Sequence, residues 1–259
     1  MTSRIAIVTG AARGIGRGIA ERLAQDGLDV AVADLPAMRG ELDEVVAAIE
    51  QRGRRALAVE TDVTSKEQTD ALVRDVADHF GKLDVFVANA GIARVAPLLD
   101  TEVEEFEKVM AVNLRGVFLS YQAAARQMIA QGTGGKIIGA ASIVAYRPFA
   151  LLGPYSASKW GVRGLTQAAA MEWAKHGITV NAYCPGIVGT AMWDLIDEKL
   201  AEAEGLAKGR AIKKHAEAIA LGRVEEPADV AAFVSYLASP DSDYMTGQSV
   251  MIDGGIQFS

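Results

Sequence analysis

Residues 4–16 read Arg-Ile-Ala-Ile-Val-Thr-Gly-Ala-Ala-Arg-Gly-Ile-Gly, and this stretch decides the fold. An apolar, β-rich run comes first, a glycine-rich loop follows, and a helical pattern begins inside the loop and continues to Asp26. Glycines let the backbone approach a pyrophosphate, and a helix N-terminus offers free N–H groups and the positive end of its dipole. Strand, loop and helix in this order therefore predict a dinucleotide-binding site.

The same alternation of strand and helix continues along the chain. The predicted strands are Arg4–Thr9, Asp29–Asp34, Ala56–Glu60, Leu83–Ala88, Gly135–Gly139, Ile178–Tyr183 and Ser249–Asp253. The predicted helical segments are Ile15–Asp26, Gly40–Arg52, Lys66–Phe80, Glu102–Gln131, Tyr155–Lys175 and Pro227–Leu237. Strands that alternate with helices form parallel sheets, and nearly continuous apolar strands are covered on both faces. We therefore predict an α/β fold: one doubly wound, Rossmann-like domain over residues 1–259, with helices on both faces of a parallel sheet.

Composition narrows the class of protein. The 259 residues are 50% hydrophobic and 23% charged, with a net charge of −7, which disfavours a nucleic-acid-binding protein and suits small-molecule chemistry. Cys184 is the only cysteine, so no intrachain disulfide is possible. We interpret it as a packed residue rather than a nucleophile.

The strand-like run that starts by Ile5 leaves no signal-peptide layout, and no apolar stretch approaches the roughly 20 residues that span a bilayer. We expect a cytoplasmic protein without membrane contact.

Ser142, Tyr155 and Lys159 form a candidate catalytic set. Tyr155 and Lys159 are four residues apart on a predicted helix, so their side chains share one face. An ammonium group beside a phenol stabilises the phenolate and is expected to lower the pKa of the phenol from about 10. Tyr155 would then exchange a proton with an alcohol or carbonyl near neutral pH, while Ser142 hydrogen-bonds the same oxygen.

Asp34 ends the second predicted strand, eighteen residues after Gly16. A carboxylate there can accept hydrogen bonds from the adenosine ribose and would repel a 2′-phosphate, which favours NAD over NADP. Arg13 and Arg39 keep the alternative open, because either can meet a 2′-phosphate.

Ordered motifs along essentially the full chain resemble the short-chain dehydrogenase/reductase family. They are Thr9-Gly10-x-x-x-Gly14-x-Gly16, Asp62-Val63, Asn89-Ala90-Gly91, Asn113, Ser142, Tyr155-x-x-x-Lys159, and Pro185-Gly186 with Thr190. One departure is Ala88, where many members carry a second asparagine. The resemblance implies hydride transfer between a nicotinamide cofactor and a substrate carbon, coupled to proton transfer by Tyr155.

The resemblance also implies a role for each matching position. The implied catalytic residues are Asn113, Ser142, Tyr155 and Lys159, with Asn113 holding a water that links Lys159 to solvent. The implied cofactor-binding residues are Gly10, Arg13, Gly14, Ile15, Gly16, Asp34, Leu35, Asp62, Val63, Asn89, Ala90, Gly91, Tyr155, Lys159, Pro185, Gly186, Val188 and Thr190. NAD is the expected cofactor. No metal site is expected, because His79, His176 and His215 lack ligand spacing.

Three longer stretches, residues 162–167, 181–193 and 235–248, resemble a subgroup, the acetoin (diacetyl) reductases or 2,3-butanediol dehydrogenases. The expected substrate-binding residues are Ser142, Ile143, Phe149, Tyr155, Met192 and Trp193. Their apolar members suit a small, uncharged ketone or diketone, and Ile143 with Phe149 resembles the branch that makes S-configured alcohols. Residues 191–221, charged and alanine-rich, are interpreted as a substrate lid.

Three alternatives remain open. A polyol or sugar-alcohol dehydrogenase shares the recognisable end of a vicinal diol, whereas Asp34 counts against an NADPH-dependent 3-oxoacyl thioester reductase. A non-catalytic nucleotide-binding protein of this fold would typically lack the tyrosine or the lysine.

By resemblance, we also expect a homotetramer formed through the helices around Met110–Ile129 and Gly161–Trp173.

Overall fold

The strands of the chain form one parallel sheet. The structure, a computed structural model, describes residues 3–205, 207 and 209–258. The strands are β1 (Ile5–Thr9), β2 (Asp29–Asp34), β3 (Ala56–Glu60), β4 (Val85–Ala88), β5 (Gly135–Ala140), β6 (Ile178–Pro185) and β7 (Ser249–Ile252). They pair in the order β3-β2-β1-β4-β5-β6-β7, with every neighbouring pair parallel. The predicted α/β class with a doubly wound parallel sheet is confirmed.

Helices cover both faces of this sheet. They are α1 (Gly14–Gln25), α2 (Arg39–Glu50), α3 (Lys66–Phe80), α4 (Val103–Met110), α5 (Gly116–Gln131), α6 (Gly153–Trp173), α7 (Ala191–Glu204), α8 (Arg210–Ala216) and α9 (Pro227–Ala238). One buried cluster packs α3, α5 and α6 against the sheet, and a second packs α1, α2 and α9 against the opposite face. Each strand in the middle of the sheet is therefore covered twice, which explains its continuous apolar sequence.

Helix α3 shows why some predicted boundaries match the structure. Its bounds are those predicted, because Ser65 caps the start by accepting a hydrogen bond from the Gln68 N–H, and Gly81 ends the helix at a φ of 92°. The other predicted strands and helices differ from the observed ones by no more than two residues at either end, apart from the pattern over 102–131. That pattern is two helices joined by a π-helical turn, Ala111–Arg115.

The strand order places the candidate site. The chain moves outward from β1 in one direction through β2 and β3, and in the other through β4 to β7. A crevice opens at the carboxyl ends of β1 and β4, where ligands of doubly wound folds bind. No helix in the described part of the chain combines the length and the apolar character needed to cross a membrane.

Candidate active site

The glycine loop joins the carboxyl end of β1 to the start of α1. Gly10 and Gly14 have φ values of 63° and 57°, which L side chains rarely adopt. A Cβ at Gly16 would lie 2.1 Å from the Gly10 carbonyl oxygen, so the turn closes only with glycine there. In α1, all of which is described, the N-terminus has no side-chain cap and its first turn no acidic residue. Its free N–H groups fit a pyrophosphate.

Asn89 fastens β4 to the glycine loop. Its amide nitrogen donates to the carbonyl oxygens of Thr9 at 2.9 Å and Gly10 at 3.1 Å, and its amide oxygen accepts from the Tyr183 hydroxyl at 2.8 Å. The Ala90 N–H donates to the Thr9 hydroxyl at 3.2 Å. Asn89 forms these bonds although the residue before it, Ala88, is not a second asparagine. The alanine at position 88 therefore does not disturb the glycine loop.

Asp34 lies beside the same loop. Its carboxylate accepts hydrogen bonds from the backbone N–H groups of Ala12 at 3.1 Å and Leu35 at 2.9 Å. Arg39 points to other partners: it bonds Asp43 at 2.9 Å and lies 3.8 Å from Glu60. The carboxylate therefore lies against the glycine loop, and one of the two arginines that could favour a 2′-phosphate is already paired.

Asp62 and Val63, which are predicted to border the adenine, also stabilise the structure around the start of α3. The Asp62 carboxylate accepts hydrogen bonds from the Thr64 N–H at 2.9 Å and the Thr64 hydroxyl at 2.8 Å, which fixes the turn before α3. Val63 is buried, and a Cβ at Gly116 would lie 3.0 Å from its methyl group. Both residues follow β3, at the same edge of the sheet as Asp34.

The predicted catalytic residues converge from three elements. Asn113 is buried within the π-helical turn, where it donates to the Ile92 carbonyl and accepts from the Ile92 N–H, each at 2.9 Å. A Cβ on Gly91 would lie 3.4 Å from Asn113 Oδ1 and 3.7 Å from Lys159 Nζ. Lys159 Nζ lies 5.5 Å from the centre of the Tyr155 ring. The π turn, a rare form often found at functional sites, thus places Asn113 beside Lys159.

Ser158 is a residue of this group that the sequence did not single out. Its hydroxyl donates to the Tyr155 carbonyl at 2.6 Å and accepts from Asn113 Nδ2 at 3.2 Å. It thereby ties the π turn to α6. A serine between a tyrosine and a lysine gives no signal for this role, because its partner Asn113 is 45 residues away.

Burial sets the protonation of the catalytic groups. Burial raises the pKa of Tyr155 to about 12, against the opposing effect of a hydrogen bond with Ser142. Burial also lowers the pKa of Lys159 to about 8, and its ammonium donates to the Ala140 carbonyl at 2.7 Å. The pKa of Tyr155 therefore shifts in the direction opposite to the expected one, because desolvation of the phenolate outweighs the hydrogen bond with Ser142. Burial likewise raises the pKa of Cys184 to about 12, so its thiol stays protonated.

Residues 185–190 run from the end of β6 to the start of α7. Thr190 Oγ1 donates to the Val188 carbonyl at 3.3 Å, and a Cβ on Gly14 would lie 3.4 Å from the Thr190 methyl group. This segment therefore meets the glycine loop. The Gly186 N–H donates to the Ile252 carbonyl and to a carboxylate oxygen of Glu225, each at 3.0 Å. Glu225 was not among the predicted site residues.

The predicted substrate residues are only partly brought together. Met192 and Trp193, at the start of α7, pack with Ala93, Val95 and Leu151 against a small cluster of buried side chains, Ile196, Leu200 and Ala201. Ile143 lies in the buried turn directly after Ser142 and is not part of this cluster.

Phe149 lies on the loop that leads to Tyr155. Its ring centre is 6.1 Å from that of His215 on α8, so α7 and α8 both approach the loops around the catalytic residues. His215 was considered in the sequence only as a possible metal ligand. Within the described residues, no group of three or more His, Cys, Asp or Glu side chains is arranged to hold a metal.

Comparison with known proteins places the chain among enzymes. A family model described as enoyl-(acyl carrier protein) reductase matches residues 10–257. The chain is 48% identical to an L-2,3-butanediol dehydrogenase of Corynebacterium glutamicum, over 99% of this chain and 100% of the relative. It is 46% identical to a diacetyl reductase [(S)-acetoin forming] of Staphylococcus epidermidis, over 99% of both chains. It is 40% identical to a galactitol 2-dehydrogenase of Agrobacterium fabrum, over 98% of both.

Solved structures give the same fold. Levodione reductase superposes with a TM-score of 0.92 at 32% identity, covering 98% of both chains. Acetoin dehydrogenase from Enterobacter cloacae superposes with a TM-score of 0.85 at 34% identity, covering 99% of this chain and 96% of the other. Full-length coverage means that the crevice, the catalytic group and residues 191–221 all lie within the matched region.

Proposed function

Because the chain belongs to the short-chain dehydrogenase/reductase family and is an oxidoreductase, we propose that it uses NAD(H) to interconvert a small ketone and its secondary alcohol. Diacetyl, acetoin and 2,3-butanediol are the proposed substrates. One observation carries this proposal: Asn113 and Lys159 both lie close to Gly91, with Lys159 beside Tyr155, and Ala93 and Val95, which follow Gly91 in the chain, pack in an apolar cluster with Met192 and Trp193. An apolar wall suits a small uncharged substrate better than a phosphorylated sugar or a free carboxylate.

The protein contributes proton transfer and positioning. Tyr155, protonated at neutral pH, donates its hydroxyl proton to the substrate oxygen during reduction and takes it back during oxidation. Lys159, with a pKa of about 8, places a positive charge near the phenolate that forms. Ser142 orients the substrate oxygen. A bound nicotinamide cofactor supplies the hydride.

Asn113 acts by positioning in this proposal. Its two bonds to Ile92 and its bond to Ser158 hold the π turn beside Lys159. A water held there would connect the ammonium group to solvent, so that protons lost by Tyr155 are replaced.

The cofactor preference is proposed from Asp34. Its carboxylate can accept hydrogen bonds from the hydroxyl groups of an adenosine ribose, and its charge repels a 2′-phosphate. The glycine loop and the start of α1 would hold the pyrophosphate. Asp62 and Val63 would border the adenine, and residues 185–190 would hold the carboxamide side. NAD is accordingly the proposed cofactor.

The product configuration is proposed to be S. Ile143 is the residue after Ser142, and Phe149 lies on the loop before Tyr155 with its ring 6.1 Å from that of His215. We propose that these two side chains restrict how a small ketone turns toward Tyr155. The name of the Staphylococcus epidermidis relative supports this configuration. Residues 191–221 are proposed to act as the lid, with Trp193 as its apolar contact.

A polyol dehydrogenase is the second candidate function. The 40% identity to a galactitol 2-dehydrogenase favours it, since a vicinal diol at one end of a sugar alcohol resembles 2,3-butanediol. The apolar surroundings of Trp193 favour the smaller substrate. A 3-oxoacyl thioester reductase fits less well, because Asp34 opposes NADPH.

We propose a homotetramer as the working assembly and the cytoplasm as its location. A groove of about 1030 Å³ runs between α4, the π turn, α5 and α6, lined by apolar side chains that include Phe106, Met110, Leu114, Phe118 and Leu165. These are the helices expected to pair with a second copy. Cell fractionation would test the location.

The decisive experiment is a turnover assay with purified protein. NADH oxidation is measured with diacetyl, acetoin, an acetoacetyl thioester and a ketose, and is repeated with NADPH. Fast turnover of diacetyl or acetoin with NADH, and S-configured product on chiral analysis, is the expected result. A ketose as the fastest substrate would favour the second candidate, and activity restricted to NADPH would overturn the cofactor assignment.

A further inference from the structure

Glu225 is a buried carboxyl group next to the proposed cofactor site. Its residue is 8% exposed, and it lies in the loop between α8 and α9. Oε2 accepts the hydrogen bond from the Gly186 N–H at 3.0 Å. Oε1 is buried and has no hydrogen-bond partner among the described residues. A buried oxygen without a partner is costly when it carries charge and less costly on a neutral acid.

The backbone of Glu225 holds the same segment. The Glu225 N–H donates to the Ile187 carbonyl, and the Gly189 N–H donates to the Glu225 carbonyl, each at 2.9 Å. Val188 forms a parallel bridge with Glu225. With the side-chain bond to Gly186, one residue thus contacts the whole of 186–189, which lies between the end of β6 and the start of α7.

The charges around Glu225 oppose its ionisation. Burial has the largest effect and raises the pKa, and Asp229 on α9 and Asp253 after β7 raise it further, while the hydrogen bond from the Gly186 N–H and the charge of Arg223 in the same loop lower it. Together they raise the pKa of Glu225 to about 8, against the usual value near 4.5. Glu225 is therefore a neutral acid at pH 7 and becomes a carboxylate in the mildly alkaline range.

We propose that Glu225 is a positioning residue for the cofactor: its neutral acid holds segment 186–189 in place, and loss of its proton loosens that segment and weakens NADH binding. This rests on the proposed function, in which residues 185–190 hold the nicotinamide side. The bond from the Gly186 N–H favours the carboxylate, but the burial of an unpartnered oxygen outweighs it, so an ionised Glu225 side chain gains by turning toward water, and that movement breaks the bond to Gly186. NADH should in turn hold the proton on Glu225, because coupling between two binding events is reciprocal.

The test is NADH binding by fluorescence titration of the full chain at two pH values, about 6.5 and about 9.5, on either side of the Glu225 pKa. Wild type is compared with Glu225→Gln, which keeps the shape of the neutral acid, and Glu225→Ala, which lacks the side-chain bond. The rise in Kd between the two pH values should be about five-fold larger for wild type than for Glu225→Gln. Glu225→Ala should bind more weakly than Glu225→Gln at both pH values.

Controls separate this inference from its alternatives. Glu172→Gln removes a carboxylate from the exposed surface of α6 and should keep the wild-type pH dependence. Titration of Lys159 and Tyr155 is common to all variants, and thermal unfolding shows that each is folded. Identical pH dependence in wild type and Glu225→Gln, with NADH bound by both, would overturn the inference alone. Failure of wild type to bind NADH at either pH would overturn the proposed function.

Discussion

At the scale of single residues, burial decides the proton chemistry of Tyr155. The spacing of Tyr155 and Lys159 correctly indicated that both groups share one face of a helix, with 5.5 Å between the ammonium nitrogen and the ring centre. The spacing did not indicate that both would be shielded from water. Desolvation moves the two pKa values apart, that of Tyr155 up to about 12 and that of Lys159 down to about 8, which favours the neutral phenol as the resting acid.

Tyr155→Phe should reduce turnover by about 10²–10⁴-fold, the range in which a positioned acid contributes. NADH binding should be nearly unchanged, because the ring remains and only the hydroxyl is lost. Steady-state kinetics with diacetyl and fluorescence titration with NADH measure the two effects. Tyr236→Phe, which removes a hydroxyl from a side chain that is 41% exposed on α9, is the matched control. Substantial residual turnover would end the assignment of Tyr155 as proton donor.

Asp34→Ser should narrow the preference for NADH over NADPH by about ten-fold or more, because it removes a charge that repels the 2′-phosphate. We do not expect full inversion, since Arg39 is held by Asp43 and Glu60. The ratio of kcat/KM values for the two cofactors is the measurement. Asp70→Ser on α3 provides an equivalent loss of charge away from the crevice. An unchanged ratio would mean that Asp34 does not set the preference, and Arg13 and Arg39 would be the next residues to test.

Glu225 shows what residue patterns leave out. Asp34 was predictable because it ends a strand at a fixed distance from the glycine loop. Glu225 lies in a charged stretch, and such a stretch predicts a solvent-exposed surface. Its role is visible only in the folded protein, where it accepts a hydrogen bond from the Gly186 N–H. Its burial depends on contacts with residues 187–189, 36 or more positions earlier in the chain, which periodicity cannot reveal.

At the scale of elements, the π-helical turn is the clearest difference between expectation and structure. Residues 102–131 have a continuous helical pattern, and nothing in their periodicity separates α4 from α5. The turn is stabilised from outside, by the two bonds between Asn113 and Ile92 and the one from Asn113 to Ser158. By contrast, α3 could be placed to the residue because its cap and its terminal glycine are local.

The lid proposed for residues 191–221 is the element most open to test. Trp193→Ala should raise the KM for diacetyl by about ten-fold, because it removes an aromatic side chain from the apolar wall. The Kd for NADH should change little, because Trp193 packs with Ala93, Val95 and Leu151 rather than with the glycine loop.

Leu195→Ala is the matched control for the lid, since Leu195 is 46% exposed on the same helix. Thermal unfolding of both variants shows whether α7 still packs. An equal rise in KM for both variants would mean that the loss of helix packing, and not a contact near the substrate, caused the effect.

At the scale of the whole molecule, two layers of helices explain why the site could be located from sequence. The alternation of strands and helices makes the sheet parallel, so the carboxyl ends of its strands lie at one edge, and Asp34, Asn89 and Ser142 end or follow strands there. The outer surface carries less information. Phe118 is 41% exposed although its helix, α5, packs on the sheet, and Phe106 is 42% exposed on α4, which packs against α6.

These exposed aromatic residues line the groove between α4 and α6, and they are the surface we expect a second copy to cover. Contiguous apolar patches of this kind are uncommon on monomers and mark interaction surfaces.

Phe118→Glu should therefore lower the native mass of the protein, because a charge buried against an apolar partner surface is strongly unfavourable. Analytical ultracentrifugation at micromolar concentration measures it. The control is Leu99→Glu, at a fully exposed side chain outside the groove, and this variant should have the same native mass as wild type. A monomeric wild type would refute the tetramer, whereas an unchanged Phe118→Glu variant would move the interface to another face.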